Sequence, residues 1–363
     1  MRPRNRLFLA LLALLPLACN LTNLAPAAIP AVVSGNQVLL VTAAANATAT
    51  ATPFQPLPPT PTYLPTATPV PPTPLPPIEV PKRPKDKSID FPDPSDYSPI
   101  AIPPPAGLIK QPEGQINILL MGSDQRQFSS GFRTDTLILL TLNPESNTVS
   151  LTSFPRDLYV YIPGWRMERI NTAHAHGGFE TTQMTFAYNL GVWPDYYILI
   201  NFWSFKRVID ELGGIDVKVE EGLGDQRDRY GYYYIPPGKT HMDGETALWY
   251  SRSRYTTNDF ARNRRQQEVL QALADRLISV DAIANAGDLY DIYKENVTTD
   301  LKFSDIVPLL PFAAKLADKS NINHYFIGSK QVTGWITPTG AQVLLPDRDA
   351  VLKVMRDALN GRK

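Results

Sequence analysis

Cysteine occurs once in the 363 residues, at Cys19, so no intramolecular disulfide can form and no cysteine is left for a metal site downstream. Histidine is nearly as scarce, with four residues. Only His174 and His176 stand close enough to suggest a metal pair, and without a third ligand nearby they read as ordinary polar loop residues. An excess of one charge is also missing. The 35 basic residues balance 35 acidic ones, which argues against nucleic acid or an acidic surface as a bulk partner. Any basic site must therefore be a local cluster. The apolar run Leu7–Leu15 is too short to span a bilayer. No Ser/His/Asp arrangement stands out, so chemistry has to be sought among carboxylates and arginines.

Those first residues have the form of an export signal. Arg2, Arg4 and Arg6 precede the short apolar core. Cys19 follows Leu15-Pro16-Leu17-Ala18, a segment similar to the lipobox of bacterial lipoproteins, with Pro16 where an aliphatic residue is usual. The expectation is a signal segment over 1–19, lipidation at Cys19 and a location on the extracytoplasmic face of the membrane. A plain signal peptide with an incidental cysteine is the simpler alternative. Over residues 20–106 the composition shifts to Ala/Thr repeats, then PPTPTYLPTATPVPPTPLPP, then PKRPKDKSID. Such a stretch has too little apolar surface to offset its ordering entropy, so the reading is a disordered tether. As polyproline II at about 3.1 Å per residue, the part after Phe54 could reach on the order of 150 Å.

The folded domain is expected over 107–363, ample for one core. Ile116–Met121 and Leu137–Leu142 are branched, apolar and short, which reads as buried strands. Val149–Phe154 alternates and ends at Pro155, Arg156 and Asp157. Between the first two strands lie Asp124, Arg126, Arg133 and Asp135. Acids and arginines thus gather at strand ends, where open α/β sheets bind ligands. Arg133 and Asp135 are two apart and would leave an extended segment on one face. Paired carboxylates suit a hard cation such as Mg²⁺, and guanidinium forks suit phosphate oxygens. A turn with surface ion pairs would look the same from this loop alone.

Farther on, the pattern predicts helices over 179–190, 205–212 and 245–250, a strand at Tyr196–Asn201 and a short one at Val217–Val219. Trp165–Gly178 and Asp225–Tyr234 read as loops. A long helix is expected from Asp259, as N-cap, to about Val280. Its apolar stripe is Val269, Leu270, Leu273 and Leu277, and Gln266 and Arg262 continue that face toward the N-terminus. Arg264 falls instead with Glu268, Gln271 and Asp275 on the polar face. Helices near 284–294 and 304–317, strands near 324–336 and 342–345, and a helix from Asp347 complete the alternation. His324 and Trp335 read as core or surface residues. The fold class is α/β, an αβα sandwich around a mixed central sheet.

Several segments together, in order, resemble the LytR-CpsA-Psr family of bacterial envelope proteins: NILLMGSDQR, RTDTLILLTLNP, VSLTSFPRDLYVYIPG, ERINTAHAHGG, YYILINFWSFKRVIDELGGIDV, MDGETALWYSRSR and DFARNRRQQEVLQAL. The resemblance implies the same sandwich fold. It also implies a phosphotransferase that moves a glycopolymer from a polyprenyl-pyrophosphate carrier to peptidoglycan through a phosphodiester. The family's metal-binding aspartates fall on Asp124 and Asp135, with Mg²⁺ as cofactor. Its pyrophosphate-contacting arginines fall on Arg133, Arg156, Arg252, Arg254 and Arg262, with Asp259 as a further acid of the motif. A pyrophosphatase using water as acceptor, or a non-catalytic module binding wall polymer or carrier lipid, are the alternatives. The His174 and His176 positions are variable in the family, and an N-terminal membrane helix is more usual there than a lipidated, Pro-rich tether.

Overall fold

The computed structural model describes residues 83–125, 132–228, 230–278, 297–302 and 319–361, all within one of two compact units of the chain. Cys19, most of the expected tether, Arg126 and the helices expected near 284–294 and 304–317 lie outside the described residues.

Strands β1 (Ile116–Ser123), β2 (Thr134–Asn143) and β3 (Thr148–Phe154) form an antiparallel meander. After it come the short β4 (Tyr159–Tyr161) and β5 (Met167–Arg169), helix α1 (Ala173–Leu190), strand β6 (Tyr196–Asn201) and helix α2 (Phe202–Glu211). Next are β7 (Ile215–Val219), the hairpin β8 (Leu223–Arg227) and β9 (Gly231–Ile235), and β10 (Gly238–Met242), leading to α3 (Gly244–Arg252) and α4 (Asp259–Ile278). Strands β11 (Val297–Thr299), β12 (Ile322–Phe326), β13 (Val332–Ile336) and β14 (Gln342–Pro346) and helix α5 (Arg348–Leu359) end the described chain. The main sheet has the order β11-β6-β1-β2-β3-β12. Strands β1 and β6 pair in parallel, as do β3 and β12, so the sheet is mixed.

The sheet is apolar on both faces, which is why its central strands read as unbroken hydrophobic runs. Leu119, Met121, Leu137 and Leu139 point to one side and pack with Phe186 and Leu190 of α1 and Val351 and Met355 of α5. Ile116, Ile118, Leu142 and Val149 point to the other. Toward α4 on that face lie Ile138 and Leu151, with Leu270 against them. Gln267 of α4 donates to Ser153 Oγ at 2.7 Å. The αβα sandwich is therefore the architecture. A second core joins α2, α3 and α4 to the β7–β10 ribbon through Ile209, Ile215, Val217, Tyr250 and Val269.

The structure moves several expected boundaries. Helix α1 begins at Ala173 because the chain enters it through a 3₁₀ turn, Ile170–Thr172, and it kinks at Gly177 and Gly178. The expected loop at 225–234 is mostly the β8–β9 hairpin. Helix α4 is capped by Asn258, whose Oδ1 accepts from Ala261 N–H at 2.9 Å. Asp259 is the first helical residue instead, which releases its carboxylate for other work.

The largest change concerns residues 83–106, expected as tether. They lie as an arm against the domain, so the folded unit begins at or before Arg83 rather than at 107. Phe91, Ile100 and Ile102 pack with Tyr159, Tyr161, Tyr188 and Val343. Tyr161 Oη and Tyr188 Oη donate to the carbonyls of Pro92 and Pro103, each at 2.7 Å. At the arm's start, Arg83 Nε donates to Asp195 Oδ1 at 2.6 Å and its Nη2 to Oδ2 at 2.5 Å. The Asp195 side chain is fully buried. Burial pushes its pKa up, and Arg83 and the Asn117 N–H pull it back toward the charged form. Proline content reads as disorder only when nothing apolar punctuates it, and here three such residues do.

Removing one partner of a buried ion pair costs about 3–5 kcal/mol. Arg83→Ala is therefore expected to lower the calorimetric Tm by roughly 6–12 °C for a domain of this size. An unchanged Tm would show that the arm is not docked.

Candidate active site

The C-terminal ends of β1, β3 and β6 meet the start of β2 at one edge of the sheet, and the second core closes over that edge. The chain places its charged residues there. Asp124 follows β1: its N–H donates to Arg133 O at 3.1 Å, and its Oδ1 accepts from Arg133 N–H at 2.7 Å. The ladder carries a bulge, since Gly122 faces Thr136 and Ser123 faces Thr134, leaving Asp135 as the extra residue. A bulge re-aims the side chain it ejects, and Asp135 turns toward Arg156. This defeats the simple alternation expected for Arg133 and Asp135. The Arg133 side chain is exposed and, among the described residues, stands apart from the cluster the other arginines form.

Arg156, just past β3, is the hub. Its Nη1 lies 2.9 Å from Asp135 Oδ1, and its Nε lies 3.4 Å from Asp157 Oδ2 and 3.9 Å from Asp259 Oδ2. Neither Nε contact has hydrogen-bond geometry, so that buried N–H has no acceptor. Burial alone would lower the Arg156 pKa, but Asp135 and Asp157 outweigh it and hold the guanidinium above its ordinary value. Asn171 Nδ2 donates to Asp135 Oδ1 at 3.4 Å, while its buried Oδ1 has no hydrogen-bond partner. Arg169 Nε reaches Asp157 Oδ1 at 3.3 Å.

Arg262, one turn into α4, lies deeper than Arg156. It is 4% exposed, as the helical stripe predicted. Its Nη2 lies 2.9 Å from Asp259 Oδ2, and its buried Nε has no acceptor. Burial is the main influence on its pKa and pushes it down, with Asp259 opposing. Arg264 sits where the polar face predicted, paired with Glu221 and exposed over 30% of its side chain.

Arg252 and Arg254 supply the outer layer. Arg252 ends α3 and lies 4.0 Å over the Phe202 ring, and Arg254 Nη1 is 3.9 Å from Asp259 Oδ1. Arg265, 3% exposed, holds this segment by donating from Nε to Tyr250 O at 2.9 Å and from Nη2 to Ser253 O and Thr257 Oγ1. Asp225, fully buried, accepts from Ser253 Oγ and, at 3.0 Å, from Tyr255 N–H. An arginine on the last carbonyls of a helix is a C-cap, and these two residues aim the Arg252–Arg254 turn. Neither was readable as such: Arg265 looks like one more charge in RNRR, and Asp225 like a loop acid.

The cavity among these groups has a volume of about 250 Å³ and is lined by Asp135, Asp228 and the four arginines 156, 252, 254 and 262, with Trp249 and Tyr255 at its wall. Asp157 and Asp259 lie behind this lining, 2.9–3.9 Å from Arg156, Arg254 and Arg262, so four guanidiniums converge on one cavity and share the carboxylates that hold them. The histidines play no part. His176 stacks on Trp165 at 4.4 Å, and His174 packs between Phe132 and Tyr197 with its pKa lowered by burial. Among the described residues no three His, Cys, Asp or Glu side chains group to hold a metal. His324 bonds Gln267, and Trp335 packs on Tyr159.

The chain resembles known proteins in sequence and in fold. Residues 85–357 match the model of the LytR_cpsA_psr family. The chain is 31% identical over 252 residues, 67% of its own length and 76% of the relative's, to the polyisoprenyl-teichoic acid–peptidoglycan teichoic acid transferase TagT of Bacillus subtilis. It is 36% identical over 193 residues to the TagU of the same organism, covering 52% of this chain and 61% of that one. Among solved structures, B. subtilis TagV superposes with a TM-score of 0.57 at 31% identity, over 70% of this chain and 98% of that one. TagT bound to LIIa-WTA superposes with a TM-score of 0.57 at 27% identity, over 71% and 97% of the two chains. With a family-model match over residues 85–357 and a sandwich shared with those solved structures, this chain belongs to the LytR_cpsA_psr family.

Proposed function

We propose that this chain transfers a glycopolymer from a polyprenyl-pyrophosphate carrier to peptidoglycan, leaving a phosphodiester. The observation that carries the reading is the cavity's set of guanidinium donors. The guanidiniums of Arg156, Arg252, Arg254 and Arg262 converge on one cavity, and the buried Nε groups of Arg156 and Arg262 have no acceptor in the protein, a donor set suited to the oxygens of a pyrophosphate diester. In the reaction, an acceptor hydroxyl oxygen bonds to the phosphorus that carries the glycopolymer. The bond from that phosphorus to the bridging oxygen breaks, and the electron pair leaves on polyprenyl monophosphate. The hydroxyl proton is released, balancing the new negative charge. Such a transfer needs positioning and charge more than a protein nucleophile. Arg156 and Arg262 would hold the departing oxygens, and Arg252 and Arg254 the outer ones. Incubation with a polyprenyl-pyrophosphate oligosaccharide, with and without peptidoglycan, tests this. Product that requires peptidoglycan supports transfer, whereas equal release without it identifies a pyrophosphatase.

The donor set at the strand edge fits Mg²⁺. Asp124 and Asp135 offer carboxylates, and Asn171 Oδ1 is a buried amide oxygen lacking a partner, an oxygen-only set suited to a hard cation. A bound Mg²⁺ would neutralise charge on the pyrophosphate and leaving phosphate. Asp124→Asn with Asp135→Asn is expected to abolish both the Mg²⁺-dependent rise in Tm and the stimulation of turnover. A thermal shift equal to the parent's would assign the metal elsewhere.

No described helix is long and apolar enough to cross a membrane. Lipidation of Cys19 is the anchoring we infer, from the n-region, short apolar core and lipobox-like segment. Cys19→Ala should shift the protein from the membrane fraction to the medium or leave its precursor uncleaved. Normal processing with unchanged membrane retention would sink that assignment.

A further inference from the structure

The β8–β9 hairpin carries a surface that the pyrophosphate chemistry leaves unused. Along β9, Tyr232 and Tyr234 point outward and are 66% and 55% exposed. Tyr233, between them, turns inward, its ring 5.3 Å from Trp249. The outward pair leans across β8 over glycines. A Cβ on Gly224 would lie 2.0 Å from Tyr232 Oη and 3.2 Å from Tyr234 Cδ2, and one on Gly222 would lie 2.6 Å from Tyr234 Oη. Gly222, just before β8, and Gly224 within it thus make room for two rings set side by side, about 7 Å apart along the strand.

The hairpin that carries this pair borders the active-site cavity. Gln226 of β8 and Trp249 both line that cavity, and the Trp249 indole N–H donates to Gln226 O at 2.9 Å. The turn after α3 runs beside β8, where Thr256 Oγ1 donates to Gly224 O at 2.6 Å. Tyr255 in that turn is 87% exposed and lines the cavity too. Tyr255 therefore stands at the cavity, in the turn that runs beside the strand over which Tyr232 and Tyr234 lean.

From this geometry we propose that the hairpin is the platform on which the acceptor glycan strand lies, its pyranose rings stacked on Tyr232 and Tyr234 with one hydroxyl delivered into the cavity. The proposal rests on the transferase reading above. Pyranoses present apolar C–H faces ringed by hydroxyls, and a tyrosine offers the same combination, a flat apolar ring with a polar rim. Side by side, two such rings suit consecutive sugars of one strand. A lipid surface is the less suitable occupant. Membrane-binding faces carry Leu, Phe or Trp beside Lys and Arg, whereas the outward positions of this hairpin, Gly224, Gln226, Tyr232 and Tyr234, hold neither an aliphatic residue nor a cation. Both strands would keep their pairing when the acceptor is absent, so the platform is formed in advance.

The test uses the full chain and two variants, Tyr232→Ala/Tyr234→Ala and Gly224→Ala. The second keeps both tyrosines and meets side-chain atoms alone, the far end of the Tyr232 ring and the edge of the Tyr234 ring, so it tilts the pair without dismantling the hairpin. Calorimetry confirms that each variant melts like the parent. Co-sedimentation with purified peptidoglycan is expected to weaken at least about ten-fold for the double variant and several-fold for Gly224→Ala. In transfer assays the KM for peptidoglycan should rise by a similar factor while the KM for the carrier stays constant. Parent-like sedimentation and KM for folded variants would overturn the proposal. So would loss of binding to anionic phospholipid vesicles with peptidoglycan binding intact, which would make the hairpin a membrane contact. If the parent sediments with peptidoglycan through these tyrosines yet forms no phosphodiester, the platform stands and the transferase reading fails.

Discussion

Arg156→Gln is expected to lower kcat/KM for glycopolymer transfer by about a hundred- to a thousand-fold, the loss typical of a charge-stabilising donor removed from a preorganised site. The structure makes this residue the hub of the cluster, since among the described residues it is the one that approaches all three of Asp135, Asp157 and Asp259. Those carboxylates fix the guanidinium in one orientation, and its pKa is held above the ordinary value despite burial. Removing it leaves each acid another partner: Asn171 on Asp135, Arg169 on Asp157, and Arg254 and Arg262 on Asp259. The fold should therefore survive, with a lower Tm. Arg156→Lys restores the charge without the planar fork, so it should recover no more than about a tenth of the parent rate. A glutamine variant that folds and retains activity within about five-fold would mean that Arg156 organises acids and does not meet the pyrophosphate. Carrier lipid titrated by calorimetry separates the two roles, because only the second predicts weaker binding.

How far the sequence carried this picture depends on the kind of signal. The strands β1 and β2 were legible because both faces of the sheet are buried and their residues are branched and apolar almost without interruption. The depth of Arg262 was legible because helical phase is rigid: Val269 and Gln266 set the angle, and Arg262 follows at the same spacing. Features that depend on hydrogen bonds across the fold were not legible. The bulge that ejects Asp135 is a register event between two strands. The shift of the cap from Asp259 to Asn258 moves one hydrogen bond by one residue. Asp225 became a brace only when the hairpin carried it beneath Ser253 and Tyr255. The arm from Arg83 has the composition of a tether, and its order comes from Asp195, more than a hundred residues away, which local composition cannot reveal. For the same reason Arg133, adjacent in sequence to the carboxylate pair, proved peripheral to the cluster, while Arg262, far away in sequence, proved central.

Neighbours on one helix give the sharper experiment. Arg262→Gln is expected to cut kcat/KM by about ten- to a hundred-fold, since a charge-assisted hydrogen bond to phosphate contributes roughly 1.5–3 kcal/mol. Arg264→Gln, two residues on, should change it hardly at all. The two side chains share a helix and a charge but not an environment. Arg262 is 4% exposed, and its single carboxylate, Asp259, is shared with Arg156 and Arg254. That is a buried charge only partly compensated, arranged for an anion that the protein itself does not provide. Arg264 is paired with Glu221, with Glu220 and Glu268 within 4.0 Å, a half-exposed arrangement worth about 0–1 kcal/mol. Loss of the Arg262 guanidinium leaves Asp259 with Arg156 and Arg254, so most of the parent's stability should remain. The rival role for Arg262 is a brace for the first turn of α4 through Asp259. On that account Arg262→Gln lowers the Tm while the folded fraction keeps the parent kcat/KM, and carrier binding is unchanged. Equal losses in the two variants would mean that the cavity at the N-terminus of α4 is not where the pyrophosphate sits. A loss confined to Arg262→Gln, appearing in kcat as well as in KM, places that guanidinium on the oxygens that gain charge as the polyprenyl phosphate departs.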